Sequence, residues 1–150
     1  MNAATTGTTG TSRIAAIQMV SGPTVADNLE EAGRLIAMAA AQGAQLVALP
    51  EYFCIMGMKD TDKVAVRETL GAGPIQSFLS ATAKQHGVWV VGGSAPLVSS
   101  DPGKVRNSSL VFDATGARVA RATTKFICSD LRWARSVITK PAPSKRATHR

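Results

Sequence analysis

The stretch Leu46-Val-Ala-Leu-Pro-Glu-Tyr-Phe53 places a short apolar run directly before a proline and a carboxylate. A run of this length, bounded by turn-forming residues, is typical of a buried strand in an α/β sheet. Pro50 cannot donate a hydrogen bond to a neighbouring strand, so the strand is predicted to end there. Glu51 would then lie just beyond the strand, where α/β sheets hold ligands and catalytic groups.

Apolar runs and helical patterns alternate on both sides of this stretch. Residues 13–20 and 88–93 are predicted to form further buried strands. A helix is predicted to begin after Thr24, which has capping-box spacing with Asp27, and to end at Gly43. A second helix is predicted over residues 74–86, with Pro74 in its first turn and Gly87 as its cap.

The remaining segments complete an α/β pattern. Residues 54–73 are predicted to form a long loop with a helical turn near 64–70, and residues 105–113 and 117–121 to form a hairpin. The order β-α-β-α-β followed by a hairpin predicts a layered α/β sheet over residues 13–121. Residues 1–12, rich in Thr, Gly and Ala, are predicted to be a disordered leader.

The positive charge is concentrated at one end of the chain. Residues 1–121 hold ten Lys or Arg and nine Asp or Glu, whereas residues 122–150 hold seven and one, so the net charge of +7 divides into +1 and +6. The basic segment has no apolar periodicity and is predicted to be disordered. A chain binding nucleic acid or an acidic surface through this tail is an alternative function, although aromatic interleaving is limited to Phe126 and Trp133.

The two cysteines, Cys54 and Cys128, suggest no disulfide framework, and the sequence is predicted to be cytoplasmic. No stretch is long and apolar enough to predict a membrane span. Cys54 could act as a nucleophile with Glu51 as its base, but a small buried hydrophobic residue is the ordinary interpretation of such a cysteine.

Glu51 is the candidate catalytic residue. The ordinary interpretation of such a residue is a solvated carboxylate at a strand end. Pro50, however, constrains the backbone before Glu51 and so orients its side chain. Tyr52 and Phe53 follow as apolar neighbours, a setting that suits a working general base. Asn107, in the run Asn107-Ser-Ser109, could line a pocket or could face solvent on its strand.

Five segments together resemble the nitrilase, or carbon–nitrogen hydrolase, superfamily. They are Arg13-Ile-Ala-Ala-Ile-Gln-Met19, the helix from Asn28-Leu29 to Ala41-Gln-Gly-Ala44, Leu49-Pro-Glu-Tyr-Phe53, Val90-Val-Gly-Gly-Ser94 and Arg106-Asn-Ser-Ser-Leu-Val-Phe-Asp113. The resemblance covers about the first half of such an enzyme. It implies the N-terminal part of a four-layer α-β-β-α sandwich, incomplete in this chain, and the loops most resemble the amidase branch that acts on ω-amides or deaminated glutathione.

The resemblance also implies a chemistry. The family hydrolyses amides or nitriles with a Glu–Lys–Cys triad, without cofactor or metal, and its intact members are expected to be homo-oligomers. Glu51 corresponds to the general base, and Tyr52, Phe53 and Asn107 are implied to be substrate-binding residues. Neither Cys54 nor Cys128 matches the family's nucleophile.

The family's lysine belongs to a Tyr-Asp-Lys-Ile-His-Leu-Phe block that should follow residue 121, where this chain reads Ala122-Thr-Thr-Lys-Phe-Ile-Cys-Ser-Asp130. If the last base of each codon is read with the first two bases of the next, these residues can encode Tyr-Asp-Lys-Ile-His-Leu-Phe-Gly. Residues 122–150 are therefore predicted to be a frameshifted translation, and Lys125 is not predicted to be the catalytic lysine. The chain is expected to be a truncated, inactive family member, or else a non-catalytic subunit that pairs with an intact relative.

Overall fold

The computed structural model describes residues 12–59, 61–119 and 123–126. In this part of the chain the elements are β1 (Ile14–Ala16), α1 (Val25–Ala41), β2 (Leu46–Ala48), α2 (Asp62–Ala65), α3 (Pro74–His86), β3 (Trp89–Val98), β4 (Val105–Phe112) and β5 (Thr123–Phe126). The order confirms the predicted β-α-β-α-β pattern and the hairpin strand that follows it.

The strands form one mixed sheet in the order β1-β2-β3-β4-β5. β1, β2 and β3 are parallel, whereas β4 and β5 are each antiparallel to the strand before them. The register between β3 and β4 shifts between Gly92 and Ala95, which marks a bulge in β3. The carboxyl ends of the three parallel strands therefore meet at one edge of the sheet.

Both long helices cover the same face of the sheet. α1 and α3 contact each other, α1 contacts β2, and α3 contacts β3 and β4. The core lies between these layers and includes Ile36 from α1, Leu79 from α3, and Val47 and Val90 from the sheet, all four fully buried. The apolar residues of each helix recur at a spacing that places them on one side of it, and burying that side against the sheet stabilises the helix.

The opposite face of the sheet is apolar, and no helix among the described residues covers it. Strand pairing aligns Ile14, Leu46 and Trp89 in one row, and aligns Ala16, Ala48, Val91 and Val111 in the next row. Ile14 is 67% exposed and Trp89 is 42% exposed. One face of this sheet is thus packed by helices while the other presents side chains suited to packing against a further layer.

The first strand and the first helix differ from their predicted forms. Pairing spans only Ile14–Ala16, and because β1 lies at the sheet edge with one face open, the predicted burial of residues 13–20 is wrong. Thr24 is the residue that precedes α1, but its side chain makes no capping hydrogen bond. Gly43 does adopt the left-handed conformation predicted for the helix end, with φ of 84°.

Tertiary contacts explain the other differences. The helical turn predicted near 64–70 lies earlier, at Asp62–Ala65, because Glu68 pairs alongside Leu97 instead. The same contact and the pairing with β4 extend β3 to Val98. The segment predicted as a strand at 117–121 contributes a bridge from Arg118 to Phe112.

Of the predicted leader (residues 1–12) and the predicted tail (residues 122–150), the structure describes only residues 12 and 123–126. Thr123–Phe126, within the segment predicted to be disordered, pairs with β4 as β5. Residues 1–11 and 127–150 lie outside the described part of the structure, and so do the predictions made for them. Among the helices that the structure describes, none is long and apolar enough to cross a membrane.

Candidate active site

Glu51 lies just past the carboxyl end of β2, beside the bulge of β3. The ladder continues past β2 through Leu49 N, which donates to Val91 O at 2.9 Å, and then stops at Pro50. The chain turns immediately, and Phe53 N donates to Pro50 O at 3.2 Å. We call residues 51–54 the Glu51 turn. Glu51 follows the strand end at the position that the sequence predicts, and its side chain is exposed there.

The bulge in β3 supports the Glu51 turn from one side. The Ser94 hydroxyl donates a short hydrogen bond to the Glu51 carbonyl oxygen. Asn107 Nδ2 donates to Ser94 Oγ at 2.9 Å. Gly93 packs so closely on the Pro50 carbonyl that a Cβ at position 93 would collide with backbone.

The start of α1 supports the turn from the other side. Asn28 is buried, and its Nδ2 donates to Cys54 O at 3.0 Å and to Gly22 O at 2.8 Å. Its Oδ1 accepts from Gly22 N at 2.7 Å. Asn28 therefore ties the Glu51 turn to the chain segment that leads into the helix, and its backbone N–H bonds to Thr24 O.

The predicted neighbours of Glu51 have different environments. Phe53 is fully buried in the core, and Asn107 is buried with its amide bonded to Ser94, so neither side chain offers a surface to a ligand here. Tyr52 is half-buried, with the ammonium of Lys63 located 3.8 Å from its ring centroid. The apolar setting expected around the Glu51 carboxylate is not formed, because Phe53 turns inward.

Cys54 is buried beneath the turn, and its Sγ donates to Ser94 O at 3.6 Å. Burial raises the pKa of the Cys54 thiol to about 12, since the thiolate would lose its hydration there. A nucleophilic cysteine requires the opposite shift. The structure supports the interpretation of Cys54 as a core residue, while Cys128 lies outside the described residues.

Glu68 is a buried carboxylate that the sequence analysis missed. Its Oε1 accepts from Ile75 N at 2.5 Å, and its Oε2 accepts from Gln76 N at 3.1 Å and Gln76 Nε2 at 3.0 Å. The two backbone N–H groups, of Ile75 and Gln76, belong to the first turn of α3, so Glu68 accepts hydrogen bonds at the helix N-terminus from outside the helix. Glu68 lies six positions before Pro74, which is too distant for a capping-box pattern.

The sequence pattern also did not predict that Asn28 and Ser94 support the Glu51 turn. Asn28 could have been found, because it shares the i, i+4, i+8 stripe of Ala32 and Ile36 that is otherwise apolar and buried. Ser94 had no such local signal. The described residues contain no group of three or more His, Cys, Asp or Glu side chains that could hold a metal ion.

The fold and the Glu51 turn do not by themselves define an activity, but comparison with known proteins identifies the family of this chain. Residues 13–128 match the carbon-nitrogen hydrolase family, and the chain belongs to that family. It is 37% identical over 108 residues to a deaminated glutathione amidase from Synechocystis, covering 71% of this chain and 39% of that protein. It is 36% identical over 110 residues to an omega-amidase from Xenopus laevis, covering 73% and 38%.

Solved structures share the fold. An amidase from Nesterenkonia is 27% identical with a TM-score of 0.64, over 76% of this chain and 42% of that one. Nit3 from Saccharomyces cerevisiae, a member of the nitrilase superfamily, has a TM-score of 0.62 at 23% identity, over 84% and 46%. The chain spans about two fifths of the length of the curated relatives it matches, and it forms part of the nitrilase fold.

Proposed function

We propose that this chain carries the general-base portion of an amidase of the carbon–nitrogen hydrolase family, with Glu51 as the base. The observation that carries the proposal is the exposed Glu51 on a supported turn that follows the carboxyl end of β2 and lies beside the bulge of β3. The relatives add support, since those quoted above include a deaminated glutathione amidase and an omega-amidase. Tyr52, which is half-buried beside Glu51, would contact the amide substrate.

In the complete reaction Glu51 would take the proton of a cysteine thiol, and a lysine would stabilise the oxyanion. The thiolate would attack the amide carbon, and the proton held by Glu51 would pass to the nitrogen, which leaves as ammonia or an amine and forms a thioester acyl-enzyme. Water would then give a proton to Glu51 as it attacks the thioester, and that proton would return to the departing thiolate as the acid is released. A mutant of a Nesterenkonia amidase supports the part assigned to a cysteine, because its structure shows the Michael addition of acrylamide at the active site cysteine. Cys54 does not fit the role of nucleophile, because it is buried beneath the turn with a raised thiol pKa.

We further propose that residues 122–150 are a frameshifted translation that removes the lysine block. The codon argument carries this part of the proposal. Lys125 lies on β5 opposite Asn107 and within residues 13–128, which match the family. Its neighbours in the sequence differ from the Tyr-Asp-Lys block of the family, so we do not assign it the role of the catalytic lysine. The 150 residues alone are therefore expected not to hydrolyse amides.

The test is to add one base near the codon for residue 121 and to compare the two purified products. The protein in the restored frame should hydrolyse an ω-amide or deaminated glutathione, whereas the present chain should not. Glu51→Gln should lower kcat of the restored enzyme by about a hundredfold or more, the range of a general base. Glu30→Gln, on the exposed face of α1, is the matched control and should have no effect.

Two results would contradict the proposal. An early stop codon in the restored frame, or the absence of the Tyr-Asp-Lys block from its product, would contradict the proposed frameshift. Turnover by the present chain that is abolished by Glu51→Gln would show that its own residues complete the triad.

A further inference from the structure

We infer that Ser94 and Asn107 are positioning residues that aim Glu51 by holding its backbone from the bulge of β3. The inference rests on the proposed role of Glu51 and extends it to two side chains that would not touch the substrate. Ser94 and Asn107 lie 43 and 56 residues after Glu51 in the chain and meet it only through the fold.

The hydrogen bonds have a defined direction. A serine hydroxyl has one proton to donate, and the Asn107 amide donates to Ser94 Oγ at 2.9 Å. Ser94 Oγ therefore accepts from Asn107 and can direct its own proton to the Glu51 carbonyl oxygen. Asn107 is 3% exposed and Ser94 is 7% exposed, so water competes little with either bond.

The bulge fits this geometry. Regular pairing between β3 and β4 stops between Gly92 and Ala95, which frees Ser94 to turn toward the end of β2. Gly93 has no side chain, and this lets the β3 backbone approach the Pro50 carbonyl. The two peptides on either side of the Glu51 Cα are thus each held: a close backbone contact lies at the Pro50 carbonyl, and a hydrogen bond holds the Glu51 carbonyl.

Ser94 also holds the far end of the same turn. Its carbonyl oxygen accepts from Cys54 Sγ at 3.6 Å, while its hydroxyl holds Glu51 O. Asn28 bonds to Cys54 O from the side of α1. A turn held at both ends keeps the Glu51 Cα in place, and a general base misplaced by about 1 Å can lose a hundredfold in rate.

The first test uses Cys54 as a probe of the turn in the chain as it exists. In a Cys128→Ser background Cys54 is the only thiol, and its rate of modification by a disulfide reagent at mildly alkaline pH reports opening of the turn. Ser94→Ala and Asn107→Leu should each raise that rate about tenfold, the factor expected for losing one buried hydrogen bond. Ser109→Ala, two residues from Asn107 on β4, is the matched control and should match the parent. Ser94→Thr keeps the hydroxyl and should restore protection.

The second test uses the enzyme in the restored frame, because its kinetics distinguish a positioning role from a purely structural role. Ser94→Ala and Asn107→Leu should lower kcat about ten- to a hundredfold with KM nearly unchanged, as expected when only the base is misplaced. A purely structural role would lower the folded fraction and leave kcat of the folded enzyme unchanged, and that result would overturn the inference.

The two proposals fail separately. If Glu51→Gln leaves kcat unchanged, the role of Glu51 as base is wrong while the thiol rates still report a held turn. If both variants react at the parent rate, or if the parent Cys54 reacts as fast as in concentrated urea, the turn is not held by this network and the inference is wrong.

Discussion

Cys54 shows how one buried thiol links the candidate site to the core. It is the last residue of the Glu51 turn, three positions after the exposed Glu51, yet it is 1% exposed and bonded to Ser94. Because burial raises its pKa to about 12, the folded chain retains the thiol proton at pH values where the unfolded chain releases it. The protein therefore has a pH-dependent stability that comes from a single identified residue.

We predict that this contribution is complete below the unfolded thiol pKa of about 8.5 and is lost as the pH rises toward 12. Over that window the wild-type chain should lose up to about 1.4 kcal/mol of unfolding free energy per pH unit from this group. Cys54→Ala should remove that part of the slope, as measured by urea denaturation at several alkaline pH values. Equal slopes in the two proteins would contradict the burial of the thiol.

At the scale of elements, α3 depends on a carboxylate that is not part of it. Pro74 and the left-handed Gly87, with φ of 62°, set the helix bounds by local means. Glu68 supplies the acceptors for the first turn and at the same time pairs its backbone with β3, through Glu68 N to Pro96 O and Val98 N to Glu68 O, both 2.9 Å. The long loop after Glu51 is thereby fastened to both the helix and the sheet.

Glu68→Ala is expected to lower the free energy of unfolding by roughly 2 kcal/mol or more, because it removes a helix cap and leaves buried donors unpaired. Urea denaturation followed by circular dichroism would measure the change. Glu31→Ala is a suitable control, since the Glu31 side chain is 41% exposed on α1 and pairs with Arg34 on the same helix. A loss no larger than that of the control would show that water replaces the Glu68 carboxylate at little cost.

At the scale of the whole molecule, the main feature of the described residues is the apolar face of the sheet that the helices do not cover. Ile14, Leu46 and Trp89 form one row of it, next to the row that runs from Ala16 to Val111. Burying such side chains contributes roughly 1.5–3 kcal/mol each, and a contiguous exposed apolar patch favours association. The core beneath α1 and α3 is separate from this face, so association need not disturb it.

We predict that the present chain self-associates and binds hydrophobic dyes through this face. Trp89→Lys should increase the monomer fraction in sedimentation and reduce dye binding, because the charge would be desolvated by any covering layer. Ala41→Lys, at the exposed end of α1, is the control and should leave both unchanged. A wild-type chain that is monomeric at high concentration would show that the open face is tolerated.

The sequence by itself determined the order of the elements, the bounds of α3 and the place of Glu51. These features depend on signals within a few residues, such as Pro50 ending a strand and Gly87 ending a helix. The sequence was less successful for 13–20, because an edge strand with one open face has the same apolar pattern as a buried one.

Only the tertiary structure decided how Glu51 is held. The bond from Ser94 to Glu51 joins residues 43 apart, and the bond from Asn107 to Ser94 joins residues 13 apart. Both depend on where the bulge interrupts the pairing of β3 with β4, and the register of two strands is a property of their contacts across the sheet. The burial of Glu68 follows the same logic, since its partners are brought to it by the packing of α3 and β3 and by no pattern in its own segment.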